Sequence, residues 1–266
     1  MNNVSDVVEL KRRYDEIAET LDEKTTACDY NLRELEIDTA AGYMKDGQRT
    51  LDIGCGLGYA VRQYAARKKI EAHGIDYSEK MIEAARELSR NNQEDLKGTV
   101  NFQTANVLEL PYEDGYFDVV SSSRCLMALL AWELQRRALV EVARVLKPGG
   151  TLVLMEGTFE GLDKLNYVRE QFNLAPIAAD GRDRLFTLKF HEPELLDFCQ
   201  SLYDCERIQR FGMYYFITRV IHPLMVAPEA PKYSHKINEV ARDIARVIPD
   251  FDELGHLVAF VLKKKG

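Results

Sequence analysis

The sequence contains no apolar run approaching the length of a helical membrane span, which takes about 20 residues. Its N-terminus is acidic and polar, unlike a secretory leader. These two absences lead us to expect a cytoplasmic protein with no membrane partner. Cysteine is sparse: residues 28, 55, 125, 199 and 205 show no paired spacing that would build a zinc site or a disulfide framework. A reduced compartment and no bound metal follow as expectations. Basic charge is short as well. Lys and Arg number 35 against 43 Asp and Glu, a net charge of −8, which disfavours nucleic acid as a partner because such binding depends on neutralising phosphates. The one tight basic run, Lys263-Lys264-Lys265, ends a terminal strand and reads as a solvated edge. With 46% hydrophobic and 29% charged residues, wholesale disorder is excluded. A chain of 266 residues suffices for a single domain with a sizeable core, and a homo-oligomer is compatible with this composition.

What is present concentrates in one stretch. Leu51-Asp52-Ile53-Gly54-Cys55-Gly56-Leu57-Gly58-Tyr59 joins a short apolar run to an amphipathic segment at 60–68. That order reads as strand, tight glycine turn, helix. Glycine suits positions where φ is positive or where a ligand must approach the main chain. A helix N-terminus behind the turn offers free N–H groups to a polar or anionic ligand. A nucleotide-like cofactor is therefore expected. The spacing is G-x-G-x-G, whereas the dinucleotide fingerprint is G-x-G-x-x-G, which disfavours a nicotinamide oxidoreductase. Asp52 lies two residues before the first glycine. A second acid, Asp76, ends the next apolar run 18 residues after Gly58, where a carboxylate can accept both hydroxyls of a ribose.

With these residues in view, the chain resembles the class I S-adenosylmethionine-dependent methyltransferases, which carry an (E/D)-x-G-x-G-x-G loop and an acid ending the second strand. Three further motifs follow in order. Ala105-Asn106-Val107 stands where the family places a polar residue near the adenine, although an acid is more usual there. The segment Leu110-Pro111-Tyr112 to Phe117-Asp118-Val119-Val120 looks like the family's approach to its fourth strand. Leu146-Lys147-Pro148-Gly149-Gly150 resembles its turn into the fifth. The resemblance covers residues 45–160 and implies a Rossmann-like α/β fold: a mostly parallel seven-stranded sheet, helices on both faces and an antiparallel last strand. It also implies S-adenosylmethionine as methyl donor, S-adenosylhomocysteine as product and a small-molecule acceptor as partner. Carried over residue by residue, Gly54, Gly56 and Gly58 admit the methionyl and ribose parts. Asp52 would accept from the methionyl ammonium and Asp76 would bind the ribose. Tyr77 and Met81 would pack against the adenine or, equally, in the local core, with Asn106 and Val107 beside the base. Tyr14 is similar to a first-helix tyrosine that closes over the cofactor in many relatives. Ser122 lies in the segment after the fourth strand that faces the transferred methyl.

Periodicity organises the rest as a single domain, 1–266. Helices are expected at 7–21 and 31–44, and the N-terminal 1–45 is expected to cover the cofactor. Strands at 50–54, 71–76, 100–104, 116–121 and 151–156 alternate with helices at 59–68, 79–91 and 134–146, a parallel-sheet pattern. Beyond 156 the pattern becomes irregular: a helix near 162–172, a loop around Asp180-Gly181-Arg182, a helix near 192–202 and a strand near 206–211. About forty residues, 212–255, then precede a last strand at 257–262, far more than a hairpin needs. This insertion carries Tyr214, Tyr215, Phe216, His222, Pro223, Pro228, Pro231 and Tyr233, then an amphipathic helix at 234–248. We expect 159–189 and 212–255 to be substrate caps.

Methyl transfer from a sulfonium carries its own leaving group, so orientation dominates, and a base matters when the acceptor is a weakly acidic hydroxyl. Many relatives have a histidine where this chain has Ala128, which removes the usual local base. His222 and His235 in the cap are the remaining base candidates, with His222 favoured. Arg124, after the fourth strand, could pair with an anionic substrate group, or else make a surface ion pair. The leading expectation is transfer to a hydroxyl oxygen of a small molecule, with a sugar or nucleotide sugar worth testing. Alternatives are a nitrogen acceptor, and a cofactor-binding sensor or partner protein without turnover.

Overall fold

The structure, a computed structural model, describes residues 4–23, 29–91, 95–178, 187–248, 250 and 254–266. The loop expected at 180–182 and Cys28 lie outside these residues. Among the described residues, seven strands form one sheet in the order β3-β2-β1-β4-β5-β7-β6. These are β1 (Arg49–Ile53), β2 (Glu71–Asp76), β3 (Thr99–Thr104), β4 (Phe117–Ser123), β5 (Leu146–Gly157), β6 (Tyr203–Gln209) and β7 (Leu257–Lys264). The first five are parallel, and β7 inserts antiparallel between β5 and β6. This is the sheet anticipated from the motif order. The order reverses between β1 and β4, which opens a crevice beyond their carboxyl ends. No helix among the described residues is long and apolar enough to cross a membrane.

Side chains alternate across the sheet as a pleat requires. Leu51, Ile53, Val120, Leu152, Leu154 and Phe260 belong to a core closed by Ala138, Leu139 and Val142 of α5 (Trp132–Val145) and Leu195 of α7 (Glu192–Cys199). Val119, Val153, Met155 and Ala259 face the opposite core. That core is closed by α2 (Tyr30–Gly42), α3 (Tyr59–Arg67) and part of the 212–255 insertion. On the outer side of β2, α4 (Glu79–Asn91) packs with α1 (Val4–Thr20). β5 starts five residues earlier than its apolar run suggested. Leu146 already pairs with Phe117, and the turn at Gly149, φ +71, is absorbed as an irregularity of the strand.

The insertion is more helical than its prolines and aromatics indicated. After α6 (Phe159–Gln171) and β6, the chain forms α8 (Gly212–Phe216), a π-helical turn (Ile217–Ile221), α9 (His222–Val226) and α10 (Ile237–Val247). Pro223 falls in the first turn of α9, where its missing N–H costs least. α10 packs against α2 and α8, and Tyr214, Tyr215, Val220 and Ala241 enter the same core as Leu32, Leu35 and Ile37 of α2. Thus α2 and the late insertion form one layer on this face of the sheet.

Candidate active site

The glycine loop follows β1 at the carboxyl edge of the sheet. Gly54, Gly56 and Gly58 all have positive φ, which other residues adopt only with strain. Gly58 opens α3 and is packed tightly: a Cβ there would lie 2.6 Å from the Phe102 ring. Gly56 is half-buried, and its N–H donates to Asp76 Oδ2 at 3.0 Å. Ser78 N–H donates to Asp76 Oδ1 at 2.9 Å. Each Asp76 oxygen therefore keeps a free lone pair at the tip of β2. Burial raises the pKa of Asp76, opposed by the N–H groups of Ser78, Gly56 and Tyr77.

Asp52 sits on the α2 side of β1, buried, and accepts from Ser121 Oγ at 2.7 Å. Burial lifts its pKa to about 7, against the pull of that hydroxyl and of Arg33. A second buried acid, Glu156 near the end of β5, accepts from the N–H groups of Cys125, Leu126 and Met127 and from Ser122 Oγ, at 2.9–3.2 Å. Burial raises it too, to about 7. These bonds fix the short 3₁₀ turn Leu126–Ala128 after β4 and set Cys125 beneath the glycine loop, where a Cβ on Gly54 would meet its Sγ at 2.6 Å.

Next to this edge lies a cavity of about 400 Å³, walled by α6, the π turn, α9 and residues 231–238, with Lys189 and His256 at its floor. Its neighbour in the sheet is Gly157, whose Cβ position would be 3.4 Å from Lys189 Cγ and 3.7 Å from the His256 carbonyl. Among the described residues, four buried polar atoms in this layer have no hydrogen-bond partner: Glu36 Oε1, Tyr215 Oη, His222 Nε2 and His256 Nδ1. His222 lines the cavity and stands 4.7 Å, ring to ring, from His235. Burial first, then His235 and Arg219, lower its pKa, so its imidazole is neutral near pH 7. His256 is held neutral more strongly, to about 3, by burial and by Arg219 and Lys189.

Residues 51–154 match the family described as the methyltransferase domain. The chain is 35% identical over 136 residues to a ubiquinone/menaquinone biosynthesis C-methyltransferase of Vibrio campbellii, covering 50% of this chain and 51% of that one. It is 37% identical over 144 residues to the 27-O-demethylrifamycin SV methyltransferase of Amycolatopsis mediterranei, covering 53% and 48%. The fold superposes on a chain of the complex between the Haloferax volcanii Trm112 methyltransferase activator and a methyltransferase. There the TM-score is 0.64, with 19% identity and 96% and 97% of the two chains covered. Over residues 51–154 the chain is thus similar to methyltransferase domains. The chain spans about half the length of the curated relatives it matches.

The residues present fit the S-adenosylmethionine that this domain family uses. The methyltransferase loop has glycine where the backbone turns left-handed, Asp76 has two open acceptor positions, and Asp52 supplies a buried carboxylate one strand away. The other expected contacts divide. Tyr77 is exposed beside the loop. Tyr14 is part-exposed on α1, within electrostatic reach of Asp76, Cys125 and Arg124. Asn106 is exposed after β3, but its Oδ1 is engaged by the Leu108 N–H, which leaves its amide N–H₂ for a base. Val107 is buried behind it. Met81 is buried with Ala18, Leu57 and Ala84, a core position. Ser122 is buried and given to Glu156, which corrects the expectation that it touches the cofactor.

On the acceptor side, the structure brings His222 to the cavity but leaves His235 on the exposed rim, its Nδ1 accepting from the Ile237 N–H. Tyr214 and Tyr215 are fully buried under the cavity rather than exposed to it. Arg124 does not wait for a substrate anion: its Nη2 donates to buried Glu36 at 2.8 Å. The cationic groups that do line the cavity, among them Arg169 and Arg219, were not singled out from the sequence. Neither was Glu156, although a lone acid in the run Leu152-Val153-Leu154-Met155-Glu156 was a readable signal.

Proposed function

We propose that this protein transfers the methyl group of S-adenosylmethionine to a hydroxyl oxygen of a small molecule bound under the 159–189 and 212–255 caps. A sugar or nucleotide sugar is the acceptor class to test first. The supporting observation is a single juxtaposition: a cavity of about 400 Å³ beside the same sheet edge as the glycine loop, lined by a neutral His222 whose buried Nε2 has no partner among the described residues. When bound, the cofactor supplies an electrophilic methyl on a good leaving group. The chain's task is to hold the acceptor oxygen in line and exclude water, and alignment of this kind is worth about 7–11 kcal/mol of barrier. His222 would take the proton of the acceptor hydroxyl on Nε2, so that the oxygen can accept the methyl group that the bound cofactor would supply. General-base help of this kind contributes about 10²–10⁴-fold. The relatives include both carbon and oxygen methyltransferases by name, so the acceptor atom is part of the proposal.

The test is S-adenosylhomocysteine release with a panel of sugars, nucleotide sugars and phenols. We expect turnover with a hydroxyl acceptor and a loss of 10²-fold or more in kcat for His222→Gln, with cofactor affinity unchanged. Full kcat in the His222→Gln enzyme would remove histidine from the mechanism. Cofactor binding with no product from any acceptor would favour the sensor reading.

A further inference from the structure

The cavity wall is basic in an acidic protein. Arg169, Arg219 and Lys232 line it beside the neutral His222 and His256, and no carboxylate does among the described residues. Arg219 is neutralised from behind by Asp29 and lies 5.1 Å from the Tyr233 ring centre. Arg169 has no such counter-ion among the described residues. Its Nε and Nη2 donate to the Ala175 carbonyl at 3.0 and 2.6 Å, and its Nη1 donates to the carbonyl of Arg219. All of its partners among the described residues are thus carbonyls. Two guanidiniums, which stay protonated in any protein environment, are held near each other with one carboxylate between them.

The arrangement is built. Asn166 of α6 holds the 175–177 segment through both amide atoms, donating to the Ile177 carbonyl at 2.8 Å and accepting from its N–H at 2.7 Å. Asn238 ties the other wall by donating to the carbonyls of Lys232, Tyr233 and His235. Buried His222 Nε2 and His256 Nδ1 have no hydrogen-bond partner among the described residues. A part-buried excess of positive charge beside unpaired neutral donors and acceptors is complementary to an anionic oxygen group attached to a polar molecule.

Resting on the methyl-transfer reading above, we propose that the acceptor carries an anionic oxygen group, a phosphate or a carboxylate, clamped by Arg169 and Arg219 so that its hydroxyl is delivered to His222. Arg169 is the specificity residue in this scheme. It recognises a part of the acceptor remote from the reacting oxygen and takes no part in proton transfer.

Isothermal titration of the full chain saturated with S-adenosylhomocysteine tests this, using pyrophosphate, citrate and neutral glucose as probes at low salt. We expect binding of pyrophosphate, citrate or both, none of glucose, and a fall in affinity as salt is raised. Preference between the two anions distinguishes a phosphate from a carboxylate source. Arg169→Gln should weaken the bound anion about 10-fold or more, Arg169→Lys should restore part of that, and both should keep the S-adenosylhomocysteine affinity of the parent. Because Arg169 also supports the Ala175 carbonyl, Lys232→Gln is the second variant. Its side chain lies on the exposed rim, and a several-fold weakening is expected without loss of folding. Failure of both anions to bind, or binding untouched by Arg169→Gln and Lys232→Gln, would overturn the anion site. The cofactor titration reads independently: anion binding without S-adenosylhomocysteine binding would sink the methyl-transfer reading and leave the anion site standing.

Discussion

Gly58 and Gly47 form a natural pair for measuring how much the cofactor loop depends on close packing. Both hold left-handed backbone, with φ +73 and +84. Alanine at either position carries the same conformational penalty, about 1–2 kcal/mol. The same loss of unfolded-chain freedom, up to about 1 kcal/mol, offsets it in both. The surroundings differ. A Cβ at Gly47 meets nothing within 4 Å, whereas at Gly58 it would stand 2.6 and 2.7 Å from the Phe102 ring and 3.1 Å from Ala85 Cβ. Phe102 is buried on β3 and Ala85 lies on α4, so relief requires displacing the packed Phe102 ring or shifting α4. Overpacking of that kind adds about 1–3 kcal/mol. Urea unfolding of the apo protein should show Gly58→Ala less stable than Gly47→Ala by about that difference. S-adenosylhomocysteine affinity should fall only in Gly58→Ala, because α3 starts there and the loop moves with it. Equal stability losses at the two sites would refute the claim that packing, rather than φ alone, keeps Gly58 as glycine.

Three further outcomes are expected. Asp76→Ala should weaken S-adenosylhomocysteine by about 1–3 kcal/mol, the usual cost of removing a buried hydrogen-bond partner, and unchanged calorimetric affinity would remove it from the ribose site. Asp52 has a folded pKa of about 7, above the usual carboxylate value, so its contribution to apo stability is full at low pH and is lost as pH rises through 7. Because a methionyl ammonium favours its ionised form, cofactor affinity should rise between pH 6 and 8 in the parent. Asp52→Asn should flatten that profile, and an unaltered slope would exclude Asp52. Tyr214→Phe removes the bond from Tyr214 Oη to Asp29 Oδ1, 2.5 Å long, and should cost about 1–2 kcal/mol in urea unfolding. Wild-type stability in that variant would mean that the Arg219 pair alone holds Asp29.

Much of the fold was readable because it is local. β2 and α4 run over the expected residues, and β1, the loop and α3 differ from expectation by a residue at their ends, since alternation and helical spacing are encoded within a few positions. The acid proposed for the ribose was readable for the same reason: Asp76 ends a strand, and its distance from Gly58 is fixed by one helix. The acceptor side was not. Arg169 and Arg219 are fifty residues apart, Arg124 finds Glu36 across 88 positions, and Ser122 meets Glu156 across 34. No spacing rule links such pairs, so each looked like an ordinary polar residue. Met81 was ambiguous because a helix-face methionine reads alike whether it meets a base or Leu57. The helical path of 212–226 was hidden by prolines and aromatics that only the packed layer accommodates.

Asp29 caps α2 by accepting from the Leu32 N–H, and its carboxylate also receives Tyr214 and Arg219 from the insertion. Arg246 of α10 reaches back to Asp38, and Arg242 to Asn31. An engineer wishing to transplant acceptor selectivity between proteins of this fold could not therefore move 212–255 as a cassette on its own. The graft would arrive with its arginines facing foreign side chains on the recipient's second helix. The exchangeable module is α2 together with 212–255, two stretches of chain separated by the whole glycine-loop half of the sheet, and hybrids that respect that pairing are the ones that should fold.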